Sequence, residues 1–290
     1  MRRREVITGL SSAAAWPFTT RAQQDAGDSP QIAAAPKRSG HHGAEMKSRI
    51  TALAAHNNAL WCDAVCRAHD RTGEFRETLW FTRLGAPRFY PDAVTIGGVE
   101  AAPAQTEAIA ALVGSARQRG WSVKDSFQSL DLKSVGFKPL FDAEWVALSG
   151  PLPDVDRTEY RAAIANSTAE LIAWEQSWAG EEVNAAATSG PRLFLPRLLA
   201  DKNVVFVSVQ GDNGIVGGGI LNRGAEVVGL SNLFGSAIDV VWRSLVATAG
   251  RIFPGLPLVS YERGDDLAAA HRAGFVTIGL LRVWTLPASA

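Results

Sequence analysis

The sequence predicts an α/β (α+β) protein with a mixed central sheet flanked by helices, arranged as two pseudo-repeated lobes. Three observations predict it. Strand-like runs rich in β-branched residues alternate with helix patterns that carry caps and stops. Of the 290 residues 47% are apolar and 20% charged, a balance that buries a core without disulfide staples. Two stretches also repeat one rhythm: strand, helix, strand segment, short helix, then Gly-Phe and a strand ending in Trp. They carry Gly136-Phe137 with Trp145 and Gly274-Phe275 with Trp284, the Gly-to-Trp spacings being nine and ten residues.

The first lobe is expected over 46–150. Thr51 to His69 reads as a helix carrying Leu53, Leu60, Trp61, Ala64 and Val65. Leu79 to Thr82 is a short strand, and Pro87-Arg88-Phe89-Tyr90-Pro91 is a rigid aromatic loop feeding a strand from Ala93 to Ile96. Ala104 to Arg119 is a helix closed by Gly120, and Pro139 to Leu148 is a strand. Pro151 and Pro153 mark the lobe boundary. The segment 151–191 is a connection, with a helix from Arg157 to Trp178.

The second lobe, over 192–286, repeats the pattern more clearly. Val204 to Gln210 and Ile215 to Leu221 are strands joined by the turn Gly211-Asp212-Asn213-Gly214. Asn222-Arg223-Gly224 turns again into a strand from Glu226 to Phe234. Ser236 caps a helix to Ala249, ended by Gly250. Leu256 to Glu262 is a strand, Asp265 caps the helix Leu267 to Ala273, Gly274 ends it, and Val276 to Trp284 is the last strand.

Composition narrows the function. Net formal charge is zero, so there is no basic field for nucleic acid. No segment reaches the ~18 apolar residues that span a bilayer. Two cysteines build no disulfide framework. Cys62, Cys66 and His69 share one helix face, but a fourth ligand is missing nearby, so buried small side chains are expected there and no metal. His41-His42 reads as solvated, and Asp154, Asp156 and Glu159 as helix N-terminal charges. The nine tryptophans are expected in core and interface packing.

The N-terminus offers two starts. Arg3-Arg4, then Val6-Ile7, a weakly apolar stretch to Phe18 and the small-residue site Thr20-Arg21-Ala22 resemble a twin-arginine export signal over 1–24, with 1–22 as the segment removed. Residues 23–45 read as a disordered linker of Gln, Asp, Ser, Pro, Ala and Gly. Translation from Met1 implies a periplasmic protein; translation from Met46 implies a cytoplasmic one, which is preferred.

The order strand–turn–strand–turn–strand–helix–strand–helix–strand in the second lobe resembles the GNAT family of acyl-CoA N-acyltransferases. The local matches are Leu258-Val259-Ser260-Tyr261-Glu262-Arg263-Gly264-Asp265-Asp266-Leu267 with Ala273-Gly274-Phe275, and Val228-Gly229-Leu230-Ser231-Asn232-Leu233. The resemblance implies acetyl-CoA or another acyl-CoA as cosubstrate and an amine of a small molecule or peptide as acceptor. In that family the fourth and fifth strands splay and the pantetheine arm enters the gap, which here points to Leu230, Ser231 and Asn232. The pyrophosphate sits on the next helix N-terminus, where free N–H groups and the helix dipole favour an anion; here that is Gly235, Ser236, Ala237 and Ile238. The chain departs from the family twice. The loop has one glycine and no cation, and the position of the family's helix tyrosine is Ala270, with His271 a ~100° helical step away.

Glu262 is the candidate base at the strand end and Tyr261 the nearest phenol, a candidate acid. Strand alternation sends their side chains to opposite faces, so at most one of the two faces the cleft. The competing reading of Glu262 is a strand-end carboxylate paired with Arg263 or solvent. The alternatives to an N-acyltransferase are a catalytically degenerate ligand-binding protein of the same fold and an exported periplasmic protein.

Overall fold

The computed structural model describes residues 40–114, 119–150, 160–187 and 192–288. The expected signal, residues 23–39 of the linker, the prolines of the lobe boundary and the acidic trio Asp154, Asp156 and Glu159 lie outside them.

The first half begins with helix α1 (Gly40–Ala68), followed by strands β1 (Gly73–Phe75), β2 (Leu79–Thr82) and β3 (Ala93–Thr95). Helix α2 (Ala102–Gly114), strand β4 (Trp121–Asp125), a 3₁₀ turn at Lys133–Val135 and strand β5 (Lys138–Leu148) complete it. The second half has β6 (Arg161–Ile164), α3 (Thr168–Ala187), β7 (Val204–Gly211), β8 (Gly214–Gly224) and β9 (Val227–Gly235). Then come α4 (Ile238–Ile252), β10 (Leu258–Glu262), α5 (Gly264–Arg272) and β11 (Val276–Leu286).

The eleven strands among the described residues form one sheet, in the order β1-β2-β3-β4-β11-β5-β10-β9-β8-β7-β6. The last strand of each half is exchanged. β11 lies between β4 and β5, and β5 lies between β11 and β10. Around the central antiparallel β5–β11 pair the halves match. β3 runs parallel to β4 at Ala93↔Val123, and β9 runs parallel to β10 at Leu258↔Val228. The Gly-Phe echo has a structural cause. Gly136 and Gly274 are both left-handed, at φ 96° and 93°. The N–H of each bonds the carbonyl three residues back, and the N–H of the following Phe bonds five back. That is the Schellman closure of a helical turn, and it delivers Phe137 and Phe275, each 2% exposed, to the core.

Helices cover both faces. β-strand alternation sends Phe206, Ile220 and Val259 toward the α1 and α3 side, and Val207, Leu221 and Leu258 toward α4 and α5. α2 packs on the face opposite α1, on Trp121, Val123 and Trp284. All eight tryptophans among the described residues are buried. Trp174 anchors one cluster edge-on to Phe194, Phe206 and Phe234, its indole N–H donating to the Val207 carbonyl at 2.8 Å.

Several elements differ from expectation. α1 starts at Gly40, inside the expected linker. The helix expected from Arg157 is strand β6 over Arg161–Ile164, paired with β7, and α3 starts only at Thr168. Ser167-Thr168-Ala169-Glu170 is a capping box: Ser167 Oγ accepts from the Glu170 N–H at 3.2 Å, and Glu170 Oε2 accepts from the Ser167 N–H at 3.0 Å. The second hairpin turns at Ala225-Glu226, because β8 runs on to Gly224, paired with Val227. Asn57 of α1 holds that extension, donating to the carbonyls of Asn222 at 3.0 Å and Gly224 at 3.1 Å. Ser236 does not cap α4; Ala237 is the N-cap, without a side-chain cap bond, and the helix passes Gly250 to Ile252. Asp265 lies in the first turn of α5, which Arg263 precedes as N-cap.

Candidate functional site

β9 and β10 pair at only two positions, Leu258↔Val228 and Val259↔Gly229, and then separate. A bulge in β9 shapes the gap. Opposite Gly219 of β8 the strand inserts an extra residue, and Asn232 takes φ 55°. Asn tolerates that left-handed conformation better than most residues. On the other side, a Cβ at Gly219 would lie 2.7 Å from Leu245 Cδ1 of α4, which would have to shift to admit it.

Glu262 stands at the end of β10 on the α4 and α5 side, half-buried. Ser260, two residues earlier and so on the same face, has its Oγ 2.6 Å from Glu262 Oε1 and 3.0 Å from the Leu230 carbonyl. One hydroxyl proton cannot serve two acceptors. Both contacts are satisfied when Glu262 is protonated and donates to Ser260 Oγ, which donates to Leu230. Burial pushes the Glu262 carboxyl up to about 8, opposed by the Ser260 hydrogen bond and helped by Asp266. The side chain therefore exchanges its proton near neutral pH.

Tyr261 faces the other way, against α1. Its hydroxyl accepts from Lys124 Nζ at 3.0 Å, the ammonium lies 4.1 Å from the ring centroid, and Trp145 packs edge-on. Lys124, 2% exposed, also donates to Asn58 Oδ1 of α1 at 2.8 Å. Burial holds the Tyr261 phenol well above its ordinary value and lowers Lys124 to about 8. Tyr261 thus joins β10 to β4 and α1 and is not beside Glu262. The alternation argument holds, and it separates the two candidates.

The other residues singled out lie along β9 and its exit. Leu230 is buried, its carbonyl engaged by Ser260. Ser231 is half-buried, and its Oγ has no hydrogen-bond partner among the described residues. Asn232 Oδ1 accepts from the Tyr90 hydroxyl at 3.4 Å, a contact from the first half of the chain. Gly235 (φ 137°) and Ser236 are exposed, and Ala237 and Ile238 half-buried, where α4 begins without a side-chain cap. The first turn of α4 carries Asp239, whose Oδ1 accepts from Arg272 of α5 at 3.0 and 2.7 Å. Folding thus supplies a cation that the loop lacks. Ala270 is fully buried in the core beneath α4, so no phenol stands there, and His271 is exposed and bonded to Thr277 Oγ1 at 3.1 Å.

Ser260 was legible beforehand, being two residues from Glu262 on one strand face. Lys124, Asp239 and Arg272 acquire their roles only from contacts far along the chain. Cys62 and Cys66 are buried free thiols, Cys62 pushed up to about 11 and Cys66 higher still by burial, so neither is a thiolate near neutral pH. His69 Nε2 is engaged with the Leu193 carbonyl at 2.7 Å. Among the described residues no group of three His, Cys, Asp or Glu could hold a metal ion, and no helix is long and apolar enough to cross a membrane.

No family model and no curated protein matches the chain. Among solved structures, a GCN5-related N-acetyltransferase from Kribbella flavida aligns with TM-score 0.52 at 14% identity, over 81% of this chain and 96% of that one. The chain has the GCN5-related N-acetyltransferase fold. A putative GNAT-family acetyltransferase from Novosphingobium aromaticivorans aligns at TM-score 0.49 and 12% identity, over 75% and 92% of the two chains. A tandem GNAT protein from the clavulanic acid biosynthesis pathway aligns at TM-score 0.43 and 11% identity, over 63% and 70%. In this fold the β9–β10 gap is where the sequence resemblance placed the acyl-CoA cleft.

Proposed function

We propose that the protein is an acyl-CoA-dependent N-acyltransferase acting on an amine of a small molecule or peptide. The observation that carries this reading is the gap between β9 and β10, with the Glu262 carboxyl held at its edge by Ser260. Acyl-CoA, when bound, supplies an activated thioester. Leu230, Ser231 and Asn232 line one side of the gap. The first N–H groups of α4, from Gly235 to Ile238, offer an anion site, and Arg272 contributes the charge if it swings from Asp239. Glu262, once ionised, accepts the proton that the attacking amine loses as its nitrogen bonds the acyl carbon and the carbon–sulfur bond breaks. An acyl-CoA donor implies a cytoplasmic protein translated from Met46.

The test is thiol release from acetyl-CoA across a panel of amines, beside calorimetric binding of CoA. Glu262→Gln is expected to lower kcat by roughly 10²-fold or more while CoA binding is retained. The parent's kcat should rise with pH and level off above about 8, as Glu262 loses its proton. A flat profile, or an active Glu262→Gln, would remove Glu262 as the base.

A second reading, binding of CoA without transfer, is favoured by two observations. Ala270 leaves no phenol to protonate a thiolate, and Asp239 puts a carboxylate in the first turn of α4. CoA binding without thiol release for any amine would select it.

A further inference from the structure

At the opposite end of β9 from the Glu262 gap lies a cleft of about 500 Å³. That is the size of a small-ligand site. Its apolar wall is Leu60, Trp61 and Ala64 of α1, with Leu256 from the segment before β10. Its ionic wall has two cations, Arg67 and Arg223, and two anions, Asp201 and Glu226.

The walls are built rather than incidental. Asn57 and Asn222 lock the back: Asn222 Nδ2 donates to Asn57 Oδ1 at 2.8 Å, while Asn57 Nδ2 holds the Asn222 and Gly224 carbonyls. Both asparagines are buried. Arg223 is steadied by its Nε on Asn203 Oδ1 at 2.9 Å and by the Phe253 ring 5.5 Å beneath the guanidinium. Among the described residues its terminal nitrogens have no partner. Arg67 engages Asp63 through Nε at 2.9 Å, which also leaves its terminal nitrogens available. The Ala225-Glu226 turn lines the cleft with both residues left-handed, at φ 51° and 62°. Asn-Gly is the favoured pair in such a turn, and Ala and Glu are strained there. A relaxed turn would lack the Glu226 carboxylate.

This charge pattern selects the ligand. A dianion such as phosphate meets Asp201 and Glu226 as well as the arginines. A neutral apolar molecule would fill the apolar wall and offer no partner to the charges that line the cleft. A zwitterion with an apolar side chain matches all three features. We propose that this cleft binds a free apolar α-amino acid. Its carboxylate is held by Arg223 and Arg67, its ammonium by Asp201 and Glu226, and its side chain lies on Leu60, Trp61 and Ala64. The site shares no residue with the Glu262 gap, so the inference stands apart from the acyltransferase reading.

Isothermal titration calorimetry on the full chain tests it, with leucine, phenylalanine, leucinamide and N-acetylleucine as probes. Leucine or phenylalanine should bind with a Kd below about 1 mM, and the two capped leucines at least about tenfold more weakly. Arg223→Gln should weaken leucine binding at least about tenfold. Glu226→Gly should do the same while the melting temperature holds or rises, because glycine accepts the left-handed turn without strain. Glu262→Gln should bind leucine as the parent does. The proposal is overturned by no binding of either amino acid up to about 10 mM. Equal binding of the capped leucines also overturns it, as does a folded Arg223→Gln that binds as tightly as the parent.

Discussion

Glu262 and Lys124 face away from each other across the sheet, yet burial drives both toward a pKa of about 8. Glu262 rises from an ordinary 4.5, so the folded chain holds its proton more tightly than the unfolded chain between pH 4.5 and 8. Its contribution to stability is complete below 4.5 and is lost as pH rises to about 8. Lys124 falls from 10.5, so between pH 8 and 10.5 the unfolded chain binds more protons and stability climbs with pH. The parent's curve also carries Cys62 and Cys66, whose raised thiols lose stability above pH 9, so each buried charge is read by difference. In urea melts from pH 5 to 10, Glu262→Gln should lose less stability than the parent between pH 5 and 8, and the gap between Lys124→Met and the parent should narrow as pH rises from 8 to 10. A pH-independent difference for either variant would contradict the burial of that charge. Ser260 and Glu262 could be read as partners from their spacing of two. Lys124 could not, because Asn58 and Tyr261 reach it from 66 and 137 residues away.

At the scale of elements, α1 shows how far local pattern carries. Of the apolar positions that predict a helix from Thr51 onward, Trp61, Ala64 and Val65 are buried, while Leu53 and Leu60 are half-buried. Its first turns, from Gly40, carry no apolar stripe. Gly43 to Arg49 are exposed, Ile50 is half-buried, and Thr51 is the first buried side chain. Among the described side chains, starting the chain at Met46 therefore removes helix without removing core. A chain of residues 46–290 should melt within a few degrees of one of residues 23–290. Loss of cooperative unfolding on removing residues 23–45 would show that the first turns of α1 make contacts of greater weight. The segment after 160 is the converse case. Its strand, β6, is a short edge that exists only because β7 pairs with it, whereas the Ser167–Glu170 capping box that starts α3 is local and stood in plain view in the sequence.

At the scale of the molecule the two halves are not separable bodies. β5 of the first half pairs with β10 and β11 of the second, and β11 in turn pairs with β4. A fragment of residues 40–150 would leave β5 with both of its neighbours missing. It should show neither a cooperative denaturant transition nor dispersed amide resonances, while the full chain unfolds in a single transition whose fluorescence and circular dichroism coincide. A folded fragment would mean that each half can close its own sheet. By itself the sequence determined the α/β rhythm, the repeat marked by Gly136 and Gly274, the placement of tryptophans in the core and the strand bearing Ser260 and Glu262. Each of these depends on side-chain period, glycine conformation or apolar burial, which neighbouring residues decide. Only the tertiary structure decided the strand exchange, the bulge at Asn232, Arg272 on Asp239 and the Lys124–Tyr261 contact. These depend on which backbone edge or charge a distant segment meets, and no local period encodes that meeting.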